Sequence, residues 1–188
     1  MPRAFRAVPP AANLFRSQAR SIQCRMTFVT SSDISEADRT YLERAVALAW
    51  DARKRGDHPF GALLIGPGES VAEALNSTVT QADPTGHAET NLVRIVGAWP
   101  AEVLRLSTLY TSTEPCAMCA GAIYWSGIGR MVFAFSAEEL AALVDEEEGV
   151  PPLRLSSREV FARGGRPIVV DGPAALTSAA EVHRGFWK

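Results

Sequence analysis

Four residues of this chain have types and spacings suited to chemistry. Cys116 and Cys119 stand three apart in TSTEPCAMCAG (111–121), directly after Pro115. His87 and Glu89 stand two apart in ADPTGHAET (82–90). A Pro-Cys-x-x-Cys at a strand-to-helix junction puts both thiols in the first helical turn, on one side, near the positive end of the helix dipole. That environment favours thiolates, the metal-binding form. One imidazole and two thiolates make three ligands for tetrahedral zinc, with the fourth position left for water.

Two other uses of the cysteine pair compete with this one. A redox Cys-x-x-Cys needs neither His87 nor Glu89. A structural zinc wants a fourth protein ligand. The other Cys and His residues are Cys24, His58 and His183, and none sits in a paired ligand motif. A bare His87 would be an ordinary surface or core histidine, and a bare Glu89 a solvated acid favoured by a helix dipole. Their pairing with the cysteine motif outweighs both readings.

The elements that must position these residues can be read in order. Residues 35–57 read as a helix, capped by Ser35 with Asp38 in the capping-box position, and Leu42, Ala45, Val46 and Ala49 recur at helical spacing. FGALLIG (60–66), the GPGE turn and SVAEALN (70–76) read as a hairpin. A loop leads to a helix opening at His87. A strand over 106–113 precedes the cysteine helix. A strand over 130–136 leads into a helix ending in the acids 145–148. A short helical stretch follows from Ser157, then a last strand over 166–173 and a last helix through ALTSAAEVHR (175–184). Strands alternating with helices predict one layered α/β domain.

His-x-Glu followed by Pro-Cys-x-x-Cys is the signature of zinc-dependent deaminases. The chain resembles the cytidine deaminase superfamily over residues 35–137, and within it the small bacterial nucleobase deaminases. Guanine deaminase is the nearest likeness and tRNA adenosine deaminase a more distant one. The stretches that carry this are HPFGALLIG, LNSTVTQADPTGHAE, LYTSTEPCAMCAGAIYW and the terminal HRGFW. The resemblance implies a three-layer α/β/α cytidine-deaminase-like fold around a mixed five-stranded sheet. It also implies one zinc on His87, Cys116 and Cys119, with Glu89 carrying protons between the attacking water, the ring nitrogen and the departing amine. Asn76 would hydrogen-bond the base, although an asparagine ending a strand is also an ordinary turn residue. Phe60 and Trp125 would wall the pocket, although both also suit plain core packing. Glu147, counted from the second cysteine, would be a further catalytic acid. Gaps could move that position to Asp145, Glu146 or Glu148, and an acid run is commonly a solvated helix end. Phe186 and Trp187 would cap the pocket in the same or a partner subunit, with packing on the outer face as the alternative.

The implied activity is hydrolytic deamination of an amino-substituted heterocycle. Guanine comes first and a triazine or isocytosine-like analogue second. tRNA adenosine and then cytosine are the alternative substrates, and a non-catalytic zinc-stabilised module is the alternative class. The partner is a small molecule, and the resemblance implies a homodimer. Composition weighs against nucleic acid. The formal net charge is −2, but five arginines and no acids fall in residues 1–25, which leaves 14 basic and 21 acidic side chains in residues 26–188, a net of −7.

Residues 1–25 read as a disordered extension, an upstream start before Met26, or a transit peptide, with the deaminase domain over 26–188. No apolar run approaches the roughly 18–20 residues of a membrane span. Three cysteines make no disulfide framework, which predicts a reducing, cytoplasmic setting.

Overall fold

A computed structural model describes residues 34–68, 70–144 and 153–187. The first helix, α1 (Glu36–Arg55), begins at the expected capping box: Ser35 Oγ accepts from the Asp38 amide and the Asp38 carboxylate accepts from the Ser35 amide. Gly56, at φ 91°, closes it in the left-handed conformation that glycine adopts without a Cβ penalty. The hairpin follows as β1 (Gly61–Ile65) and β2 (Val71–Leu75), antiparallel, with Ala62 opposite Ala74 and Leu64 opposite Ala72.

Next come α2 (Ala88–Val96), α3 (Ala101–Leu106), β3 (Thr108–Thr113), α4 (Ala117–Ser126) and β4 (Arg130–Phe135). The C-terminal part holds α5 (Ala137–Ala141), α6 (Ser157–Ala162), β5 (Val169–Asp171) and α7 (Thr177–Glu181). The five strands lie in the order β2-β1-β3-β4-β5. β1 is antiparallel to β2 and β3, and the β3–β4 and β4–β5 pairs are parallel, so the sheet is mixed.

The period-2 alternation of the strands makes two cores. Ala62, Leu64, Leu109, Met131 and Phe133 point to one face and pack with Leu92 and Val96 of α2 and Ala120 and Ile123 of α4. Leu63, Tyr110, Val132 and Ala134 point to the other and meet Leu42, Ala45 and Val46 of α1 and Ala179 of α7. The result is the expected three layers. α1 sits so close to β1 that a Cβ on Gly61 would lie 2.5 Å from the Ala45 carbonyl oxygen.

Four boundaries differ from the sequence reading. Helix α3 was not anticipated: it is short, opens at Pro100 and buries only Leu104, so it leaves little periodic signal, and Leu106, expected in a strand, ends it. Helix α5 ends at Ala141 and buries no residue, short of the span expected through the acid run, whose residues 145–148 lie outside the described residues. The last strand is three residues long. Arg166, expected at its start, instead donates to the carbonyls of Ile123, Tyr124 and Ile128 at the end of α4. The last helix keeps only Thr177–Glu181 of its expected span.

Candidate active site

The two helices that carry the motif both begin on it. His87 is the N-cap of α2 and Cys116 the N-cap of α4, each with an extended backbone, and Cys119 lies in the first turn of α4. Neither side chain makes a capping hydrogen bond at its helix start, and the two face each other. The His87 ring nitrogen Nδ1 lies 3.6 Å from Cys116 Sγ and 3.5 Å from Cys119 Sγ, and the sulfurs are 3.7 Å apart. Tetrahedral zinc, with Zn–S of about 2.3 Å and Zn–N of about 2.0–2.1 Å, requires donor atoms roughly 3.5–3.8 Å apart. The donor set therefore fits the metal. Among the described residues this is the one cluster of metal-ligating groups so placed. The Cys116 thiol is pushed down to about 4 by its hydrogen bond with Cys119 and by His87, whereas that same contact and burial push Cys119 up. His87 is raised, chiefly by its contact with Cys116.

The loop that delivers His87 is pinned at several points. The Asp57 carboxylate, fully buried, accepts from the amides of Val79 and Thr80, the Thr80 hydroxyl and Arg55 Nε. Asn91 Nδ2 donates to the Leu75 and Gly86 carbonyls, and Thr90 Oγ1 to that of His87. The cysteine turn is held likewise. The Glu114 amide donates to the Phe135 carbonyl, and its carboxylate accepts from the backbone and hydroxyl of Ser157.

Glu89, 5% exposed, lies in the first turn of α2. Its Oε1 accepts a 2.9 Å hydrogen bond from Thr111 Oγ1 on β3. Burial raises this carboxyl above the usual range, and hydrogen bonds from its own backbone and from Thr111 offset part of that.

Asn76 directly follows β2 and is fully buried. Its Oδ1 accepts from the Thr78 amide and hydroxyl, at 3.0 and 2.8 Å, and its carbonyl accepts from Arg55. The amide nitrogen Nδ2 is buried without a partner. A donor left so is costly unless a ligand or water meets it.

Phe60 is half-buried, its ring 5.3 Å from His183 and 5.9 Å from Trp187. Trp187 also lies 5.3 Å from His58 and 4.8 Å from Phe186. The tail is thus docked on its own chain, and Arg53 holds it by donating to the Val182 and Arg184 carbonyls. Trp125 is placed otherwise: it is 85% exposed on α4, so neither a core nor a pocket of the single chain encloses it. Glu147, with Asp145, Glu146 and Glu148, lies outside the described residues.

One side chain at this site, Thr111, went unnoticed in the sequence, and two more, His58 and His183, were noted there only as histidines outside a ligand motif. Thr111 looks like any strand threonine, and its link to Glu89 exists only after β3 and α2 pack. His183, 1% exposed, puts Nε2 3.1 Å from Thr113 Oγ1 at the end of β3, and burial lowers it to about 4. His58 is lowered by burial and then by the charge of His87, which places it in the field of the metal-ligand cluster. The two histidines carried one sequence signal, their places in HPFG and HRGFW.

The cytidine and deoxycytidylate deaminase zinc-binding region matches residues 35–135. The chain belongs to this family. It is similar to the "Probable cytosine deaminase" of Schizosaccharomyces pombe, 41% identical over 159 residues, which covers 85% of this chain and 98% of that protein. It is similar to the tRNA-specific adenosine deaminase of Haemophilus influenzae, 41% identical over 112 residues, 58% of this chain and 64% of the relative. Among solved structures, the guanine deaminase of Bacillus subtilis superposes with a TM-score of 0.50 at 34% identity, covering 63% of this chain and 85% of that one. The protein is therefore a zinc-dependent deaminase of the cytidine deaminase superfamily, and its relatives divide among three substrates.

Proposed function

We propose that this deaminase acts on a free amino-substituted nucleobase or a closely related heterocycle. Water replaces the exocyclic amine: the ring C–NH2 bond breaks, a C=O bond forms and ammonia leaves. The observation that carries this is the buried carboxyl of Glu89 in the same small volume as the His87, Cys116 and Cys119 donors. Zinc on those three atoms supplies Lewis acidity, which brings the pKa of water from 15.7 toward about 7. Glu89 takes the water's proton, passes it to the ring nitrogen and then serves the departing amine. Its raised proton affinity suits a group that must hold a proton between those steps. Asn76 Nδ2 offers its unmet hydrogen to a carbonyl or ring-nitrogen acceptor of the base. Phe60, with Trp187 and Phe186 behind it, supplies the apolar wall that excludes water.

Guanine and cytosine head the substrates. Guanine follows from the motif likeness, and with it a second proton relay at Glu147, which Glu147→Gln would test. Cytosine follows from the name of the relative aligned over 98% of its own length. The acidic body opposes tRNA. We expect a homodimer that buries Trp125, measurable by light scattering. An ammonia-release screen over bases, nucleosides, triazines and a tRNA anticodon stem-loop tests the assignment. Turnover of free bases is expected. Turnover of the stem-loop alone would overturn the substrate class, and one zinc per chain with no ammonia from any compound would favour a binding module.

A further inference from the structure

Glu89 has two carboxylate oxygens, and the fold treats them differently. Oε1 is held at 2.9 Å by the hydroxyl of Thr111. That hydroxyl is itself fixed. Its oxygen lies 3.0 Å from the Thr113 carbonyl and 3.5 Å from the Gly61 carbonyl, and Thr111 is fully buried at the centre of the sheet, paired with Ala62 on β1 and Phe133 on β4.

We propose that Thr111 is a positioning residue for the deamination. It anchors Oε1, fixes the plane of the carboxyl and leaves Oε2 as the oxygen that meets the reacting atoms. A carboxylate at the end of three rotatable bonds otherwise samples several orientations, and a misplacement of about 1 Å in a catalytic group can cost about 10²-fold in rate. The hydroxyl suits this task because it both donates and accepts. With three oxygens around it, it can donate to Oε1 or accept from that atom while donating to a backbone carbonyl. A valine of the same shape would fill the space and hold nothing.

This inference rests on the proposed role of Glu89, so the test reads position as well as rate. Zinc-loaded Thr111→Val is compared with the wild type and with Thr111→Ser, using whichever base the wild type turns over. The expected result is a fall in kcat of about 10- to 100-fold, the usual cost of losing a hydrogen bond to a charged group. KM should stay within about threefold, because the lost contact is not to substrate. Zinc should remain at one per chain, and Thr111→Ser, which keeps the hydroxyl, should stay near wild type. A crystal structure of Thr111→Val should show the Glu89 carboxyl rotated or in two conformers, a readout that needs no substrate. If valine is too disruptive to fold, Thr111→Ala takes its place. A wild-type carboxyl position in the variant overturns the proposal, as does an unchanged kcat or a serine variant as slow as valine. A wild type that deaminates no free base would instead count against the proposed function, with the crystallographic result still decisive for Thr111.

Discussion

At the residue scale, the proposed site divides into atoms assigned to hold the metal and atoms assigned to move protons, and the two groups should fail differently. Cys119→Ala removes one of three donors spaced for tetrahedral zinc. Metal content and turnover should fall together, and unchanged zinc by metal analysis would refute the ligand assignment. Glu89→Gln keeps the shape and leaves the three zinc-donor residues in place but cannot carry a proton. Zinc should stay at one per chain while kcat falls by about 10²–10⁴-fold. A variant retaining more than about a hundredth of the rate would move the acid–base role elsewhere. The histidine, the glutamate and both cysteines were legible in the sequence because their chemistry lies in type and spacing. Thr111 was not, because its partner is twenty-two positions away and only the packing of α2 on β3 joins them. His183 was hidden for the same reason: nothing in HRGFW shows that it reaches Thr113.

At the element scale, the tail and the first helix carry separate expectations. Trp187 and Phe186 pack on His58 and Phe60, and Arg53 ties the carbonyls before them to α1. Ending the chain after Arg184 removes both rings but leaves His183 and the backbone clamp. Folding and zinc content should persist while turnover or substrate affinity drops sharply, since the reaction loses its cover. A lowered melting temperature with turnover intact below it would make the tail a structural staple only. At the contact of β1 with α1, Gly61→Ala would set a methyl 2.5 Å from the Ala45 carbonyl and the Leu48 Cβ. Such overpacking should cost about 1–3 kcal/mol in chemical denaturation, and no loss would show that α1 can move off β1. The hairpin and α1 were readable because an apolar run, a turn and a capping box each leave a local signature. Helix α3 and the true length of β5 were not, because only Leu104 of α3 is buried and Arg166, expected in β5, bonds the end of α4 instead.

At the scale of the whole molecule, charge and exposure bear on the substrate. Residues 26–188 carry a net of −7. A free base makes no phosphate contacts, so kcat/KM should change little between about 50 and 200 mM salt. A tRNA held through six or more phosphates would lose roughly 10³-fold or more in affinity. The layered architecture could be inferred from the alternation of elements, whereas the place of Trp125, 85% exposed, could not, since helical spacing does not say which face of α4 a second chain would cover. No helix among the described residues is long and apolar enough to cross a membrane. The most direct measurement follows the oxygen. The zinc-loaded protein is incubated with guanine and with cytosine in ¹⁸O-labelled water, and product mass and ammonia are measured together. The expected result is one labelled oxygen gained by the product for each ammonia released, from at least one of the two bases, and none with Glu89→Gln. Full zinc occupancy with neither label nor ammonia from either base would contradict the account.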